Sequence, residues 1–256
     1  MAGAKAIARR IRSAAERVVA RQFGSLSCLV GLMLLSQMGC QFQLARHTAD
    51  GQQYLRSGQF SQAVDSFQQA LMSNPQNADA NYNLGTTYYY LAKQTSQPHL
   101  NPKSEDLLRQ AIALNPSHAD AYRTLAALYV ETNRPNDAFQ LIRGWQVTQP
   151  ESPEPLVEMA RLYREHNDPT RATQYLADAL TLAPNHSRAL VAMGTLREEQ
   201  GQYDLALKNY TRSIQANSYQ PQVAERIASI QQRFQTDVNP QSGTRYANPN
   251  LNSFLR

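Results

Sequence analysis

Proline recurs along this chain on a fixed beat. Pro75, Pro116, Pro150 and Pro184 are followed by Ser218 at intervals of 41, 34, 34 and 34 residues. The segments "NPQNADANYNLGTTYY" and "NPSHADAYRTLAALY" each run from the end of one unit into the next and repeat the Asn-Pro, the Ala-Asp-Ala and an apolar run ending in tyrosine. A chain with such a period folds as an array of similar modules that stack on their neighbours, because no unit buries its apolar side alone.

Further positions keep the beat. A small residue opens each unit's signature (Gly51, Gly85, Ala126, Ala160, Gly194), and three residues on stand Tyr54, Tyr88, Tyr129, Tyr163 and Arg197. A second small residue follows at Ala63, Ser104, Ala138, Ala172 and Ala206, then a large one at Phe67, Leu108, Ile142, Leu176 and Tyr210. The positions after these are Ala70, Ala111, Trp145, Ala179 and Ser213. Small residues placed opposite large ones mark two antiparallel helices in close approach, with the proline ending the second.

This pattern resembles the tetratricopeptide repeat family. The resemblance implies an all-α fold, a right-handed α-solenoid of helix pairs with a C-terminal capping helix. It covers five repeats at about 44–77, 78–118, 119–152, 153–186 and 187–220, with the capping helix at 221–235. Residues 236–256, rich in Asn, Pro, Ser and Gly without period, are expected to be a disordered tail in which Tyr246, Phe254 and Leu255 are candidate docking residues.

Two features break the beat. The second unit carries seven extra residues around "KQTSQPHLNPK", expected to form a projecting loop over 93–103 because of its prolines and polar composition. In the third unit Gly144-Trp145 stands where others have a small residue, which leads us to expect a slightly splayed junction filled by the indole.

The basic character of the chain resides in its leader. The pI is about 9.3, yet residues 1–39 hold six basic residues and one acidic, leaving 19 of each sign in 40–256. A nucleic-acid partner is therefore not expected. The basic stretch runs into Leu26–Met38, an apolar run of 13 residues, then Gly39-Cys40. That run is short for a membrane span and of the length of a secretory signal. The leader resembles a bacterial lipoprotein signal, which implies cleavage before Cys40, its acylation, and a short linker over 40–43. Gln37 and Met38 depart from that family's usual residues. An uncleaved signal anchor and an organelle presequence stay open beside it. Cys28, inside the apolar run, is the only other cysteine, so no disulfide is expected in the processed chain.

Catalytic chemistry is not expected. The sequence has no phosphate-binding Gly loop, no nucleophile elbow and no cysteine pair with metal spacing. His47, His99, His118, His166 and His186 are scattered, so neither a metal nor a cofactor is anticipated. In the family, first helices line a concave groove that holds peptides. That resemblance assigns Tyr82, Tyr89 and Tyr90 to the groove, flanked by Arg123, Arg161 and Arg164, as a site for an acidic or carboxylate-bearing peptide. The inner positions match neither the chaperone-tail clamp nor an asparagine ladder, since only Asn83 fits either.

The plan of a signal, a lipobox-like cysteine and a helical array also resembles pilotin lipoproteins that help assemble secretin pores, and adaptor lipoproteins of the cell envelope. It implies a membrane-anchored scaffold facing the periplasm of a bacterium, and Gln41 after the cysteine points to the outer membrane. The alternative is a non-catalytic subunit of an enzyme complex that keeps its signal anchor.

Overall fold

The computed structural model describes residues 44–236, with side chains as far as Arg233. The leader, Cys40, the linker and the residues after Thr236 lie outside the described residues. Every regular element described is helical: α1 (residues 44–56), α2 (Phe60–Ser73), α3 (Ala78–Thr95), a 3-10 turn (Pro98–Leu100), α4 (Asn101–Leu114), α5 (Ala119–Glu131), α6 (Pro135–Thr148), α7 (Glu154–Glu165), α8 (Pro169–Leu182), α9 (Ser187–Glu199), α10 (Tyr203–Ala216) and α11 (Pro221–Thr236). No described helix is long and apolar enough to cross a membrane. The helices divide into two compact units, one ending at Thr124 and the other beginning at Leu125, within α5.

Two kinds of turn, each with its own chemistry, set the array. Inside a pair, the first helix ends on a residue with positive φ: Gly58, Ser96, Asn133, Asn167 or Gly201. Only glycine, asparagine and a few small polar residues adopt that conformation at low cost. The residue after it donates its N–H back five positions, from Gln59 to Tyr54 O, Gln97 to Ala92 O, Arg134 to Tyr129 O, Asp168 to Tyr163 O and Gln202 to Arg197 O, at 2.7–2.9 Å. These bonds satisfy carbonyls that the helix end leaves free. Between pairs, the recurring asparagine does the work. Asn74, Asn115 and Asn217 Oδ1 accept from the N–H two residues on, in Gln76, Ser117 and Tyr219. The side chain thereby replaces a helical bond and turns the chain into the next pair.

The five back-bonds show where the seven extra residues went. In the other pairs the accepting carbonyl lies three residues after the small residue, at Tyr54, Tyr129, Tyr163 and Arg197, whereas in the second it is Ala92, four residues later than Tyr88. Four residues are about one helical turn, so α3 is lengthened without rotating its faces much. The remaining three form the 3-10 turn, whose Leu100 is buried. The expected projecting loop over 93–103 is thus corrected. The insertion is absorbed as helix because one α turn plus one 3-10 turn preserves backbone bonding, and Leu100 gains burial by it.

Within each pair the seam joins a small residue to a large one. A Cβ placed on Gly51 would lie 2.6 Å from the Phe67 ring, and one on Gly194 would lie 2.6 Å from the Tyr210 ring. At Gly85 it would meet Leu108 at 3.0 Å and the Ser104 carbonyl at 3.2 Å. There the helices approach closely enough for Ser104 Oγ to donate to Gly85 O at 2.7 Å. At Ile142 and Leu176 the small partner is Ala126 or Ala160, all buried. Around these seams lie the cores, Ala63, Val64, Phe67 and Leu84 in the first unit, and Leu156, Val157, Ala160, Leu176, Met193 and Leu196 in the second. The C-terminal helix α11 closes the last pair by placing Val223 and Ile230 against Ala206 and Tyr210.

Gly144 is a different case. It faces open space, and a methyl group added there would meet nothing within 4 Å, while Trp145 beside it is 1% exposed. The glycine is not required by the packing of the indole. Gly144→Ala should therefore stabilise the chain by ~0.5–1 kcal/mol through helix propensity, whereas Gly51→Ala and Gly194→Ala should each cost ~1–3 kcal/mol because the facing rings are enclosed. Urea unfolding of the three variants checks both signs.

Candidate functional site

The α3 tyrosines are set by its register. Asn77 caps the helix, its Oδ1 accepting from Ala80 N–H at 2.7 Å, and fixes the turn from which Tyr82 projects. Tyr82 packs on the His118 ring with centroids 4.5 Å apart. Its phenol pKa is raised above the ordinary value, first by burial and then by the field of Asp120. Two turns further along α3, Tyr90 stacks on Phe60 at 5.9 Å and meets Tyr89 at 5.1 Å. Lys93 lies over the Tyr89 ring at 5.8 Å.

The three tyrosines differ in what they offer a partner. Tyr90 is 44% exposed and Tyr82 is half-buried, but Tyr89 is 8% exposed. Thr86, on the same stretch of helix, is buried too. Of the three tyrosines, Tyr82 and Tyr90 are therefore the ones open to a partner, with Phe60 and His118 supporting their rings.

Each arginine assigned to the site already faces a carboxylate of its own chain. Arg123 bonds Asp120, one turn before it on α5. Arg164 faces Glu199 on α9 at 3.7 Å. Arg161 sits between Glu158, to which its Nε donates at 2.8 Å, and Glu165, to which Nη1 donates at 2.7 Å. Burial alone would lower the Arg161 pKa, and the fields of Glu158 and Glu165 more than offset it, so the guanidinium is held above its usual range. Tyr82, Tyr90 and Arg123 belong to the first unit, and Arg161 and Arg164 to the second.

Behind Arg161 lies a network that the sequence reading did not see. Glu158 is 1% exposed and also accepts from Arg188 Nη2 at 2.6 Å, while Arg188 Nη1 bonds Glu154. Glu154 also meets His186 Nε2 at 3.2 Å. Charges thus alternate from Glu165 through Arg161, Glu158 and Arg188 to Glu154, tying α7 to α9. The signal was present in the repeat. Glu154 and Arg188 are 34 residues apart, one period, with opposite charge at the same position. His186 has a second task, since Ala189 N–H donates to its Nδ1 at 3.3 Å and the ring caps α9. His118 caps α5 in the same way through Ala121 N–H at 3.2 Å and meets Asp79 at 3.3 Å. In both, an accepting Nδ1 leaves the neutral ring's proton on Nε2, facing the carboxylate. Among the described residues no group of three or more His, Cys, Asp or Glu side chains is placed to hold a metal ion.

The second unit also contains a cavity of about 540 Å³ bounded by α7, α9 and the start of α11. Arg161, Arg164, Val157 and Val191 line it, together with Tyr219 from the α10–α11 turn. Tyr219 is 86% exposed and lay outside the expected site, because it belongs to a turn rather than to a first helix.

Comparison with known proteins agrees with this architecture. A TPR repeat model matches residues 51–91, and tetratricopeptide repeat models match 103–162 and 157–221. The chain belongs to the tetratricopeptide repeat family, and its fold is the all-α solenoid of such helix pairs. Repeats of this family are generally non-catalytic scaffolds for protein–protein interaction. Among solved structures the fold is similar to TTC0263, a thermophilic TPR protein of Thermus thermophilus, with a TM-score of 0.57 and 20% identity over 74% of this chain and 99% of that one. It is also similar to pilF of Pseudomonas aeruginosa, with a TM-score of 0.51 and 19% identity over 80% of this chain and 95% of that one. No curated protein sequence matches the chain significantly.

Two measurements follow from the charges and phenols. Glu158→Ala leaves Arg161 and Arg188 facing each other without their shared carboxylate and should cost ~3–5 kcal/mol, against ~0–1 kcal/mol for Glu165→Ala at the exposed end of the network. Equilibrium unfolding of both variants reads the difference. Tyr82, Tyr175 and Tyr210 all have pKa values raised by burial above 10.0. The folded chain holds these protons more tightly than the unfolded chain, so their stabilising effect is complete below pH 10.0 and is lost as pH rises through the folded values. Thermal melting above pH 10.0 should fall less steeply in Tyr82→Phe than in the parent chain.

Proposed function

We propose that this chain is a membrane-anchored scaffold that holds a protein partner against the exposed faces of its first helices, with Cys40 as the lipid-bearing residue. One observation carries the partner reading. Each unit leaves aromatic surface open on or beside its first helices, Tyr82 and Tyr90 in one and Tyr219 above the arginine-lined cavity in the other. Tyrosine and arginine on a rigid helical face bury much area at low entropic cost, which is the composition of interface anchors. Membership of a family of interaction scaffolds supports the same reading.

The anchor reading rests on the leader. Its basic stretch, its apolar run and Gly39-Cys40 have the layout of a lipoprotein signal, and Cys40 stands four residues before helical residue 44. An acylated Cys40 would hold the array close to a membrane surface, facing the periplasm. In this reading the partner is a component of an envelope complex whose assembly the scaffold assists.

The two parts are tested separately. Mass analysis of the N-terminal peptide of protein extracted from membranes is expected to show an acylated Cys40. A peptide carrying intact residues 26–40 would leave the alternative, an enzyme-complex subunit with an uncleaved anchor. For the partner, Tyr82→Ala combined with Tyr90→Ala should weaken its recovery on affinity purification by about tenfold or more, as truncation of anchor residues does. Undiminished recovery would remove the tyrosine face from the site.

A further inference from the structure

We propose that the cavity of the second unit is a pocket for a bulky uncharged apolar side chain, such as leucine or phenylalanine, carried by an extended segment of the partner. The proposal rests on the partner-binding reading above and names the chemistry that one part of the surface recognises.

The charge balance of the rim selects this occupant. Arg161 is held by Glu158 and Glu165, Arg188 by Glu154 and Glu158, and Arg164 faces Glu199. A carboxylate entering here must displace one of these acids or lie beside it, and its attraction to the arginines is offset by repulsion from Glu165 and Glu199. An ammonium group meets the same conflict with the signs reversed. The ionic groups largely balance one another, although Arg161 Nη2 is buried without an acceptor and can take one from a neutral backbone carbonyl of the segment, and what drives side-chain binding is apolar surface.

That surface is present. The half-buried Val191 and Ala192 provide it, backed by Val157, Leu196 and Val223, which are buried behind them. At about 540 Å³ the cavity falls in the ~300–1,000 Å³ range of clefts that enclose a ligand group. Its edge is rigid as well. Gln220, next to Tyr219, donates from Nε2 to Ser213 O at 2.8 Å and to Asn217 O at 2.6 Å, and its Oε1 accepts from Ser213 Oγ at 2.9 Å. These bonds fix the backbone of the turn that carries Tyr219, so less ordering entropy is lost there on binding. The acidic peptide expected from the arginines alone is not the ligand this balance favours.

Selection of short random peptides displayed on phage, against the full chain, tests the pocket. The selected peptides should share one Leu, Ile, Met or Phe position and show no requirement for Asp or Glu. Their binding should fall about tenfold with Val191→Asp and several-fold with Tyr219→Ala, an exposed change that leaves folding alone, and should change less than about twofold with Arg164→Gln. Peptides that share an acidic residue and lose binding with Arg164→Gln would overturn the apolar assignment. If binding withstands Val191→Asp and Tyr219→Ala but is lost with Tyr82→Ala and Tyr90→Ala, the pocket fails while the wider partner reading stands. Failure to select any peptide above an unrelated control would sink both.

Discussion

The contact on which this structure depends is the seam inside each helix pair, where a residue with little or no side chain lies against a large one. Gly51 against Phe67 and Gly194 against Tyr210 leave no room even for a methyl group. Alanine is accommodated where the partner is the aliphatic Ile142 or Leu176. The two positions therefore act as one unit of volume, and the interior can be close-packed only if both are right. The seam fixes how the helices of a pair cross. That in turn decides which residues of each first helix stay outside the core and can meet another molecule.

With the geometry fixed in this way, electrostatics decides what the outer face can recognise. Glu158 is a buried carboxylate shared by Arg161 and Arg188, and Glu165 and Glu154 extend the chain of charges at either end. A buried pair of this kind contributes little net stability over an apolar alternative, but removing one member leaves an uncompensated charge. Its consequence for binding is larger. Arginines that look available in a count of residues each face a carboxylate of the chain, while Tyr90 and Tyr219 keep much of their surface. Recognition is thereby weighted towards aromatic and apolar contact, with the arginine rim excluding ligands of either charge.

The repeat and its seams were legible in the sequence because they depend on residue size at a fixed period, and size is written in the residue names. The αL turns went unread, although Gly58, Asn133, Asn167 and Gly201 recur on the beat, because the period was followed through residue size and not through backbone conformation. The insertion was not legible, because its prolines and polar residues describe a loop equally well, and only the back-bond from Gln97 to Ala92 shows a turn of α3 being added. The face to which a residue belongs could be counted, but not what covers it, which is why Tyr89 was grouped with Tyr82 and Tyr90 although it is buried. Glu158 and Arg188 meet across 30 residues, between neighbouring repeats, where a reading made within each repeat has no view. Tyr219 escaped for a related reason, because it lies in a turn and borders the cavity only once α11 begins.

Site-specific photocrosslinking of the chain in its native cells tests the central claim most directly, that partners meet the first-helix faces. A crosslinker would be placed in turn at Tyr90, at Val191 and, for comparison, at Met72 and Val147, which are exposed apolar residues near the ends of α2 and α6. The account predicts adducts of one discrete mass from Tyr90 or Val191 and none from Met72 or Val147. Adducts confined to Met72 and Val147 would place the interaction on the second helices and contradict it.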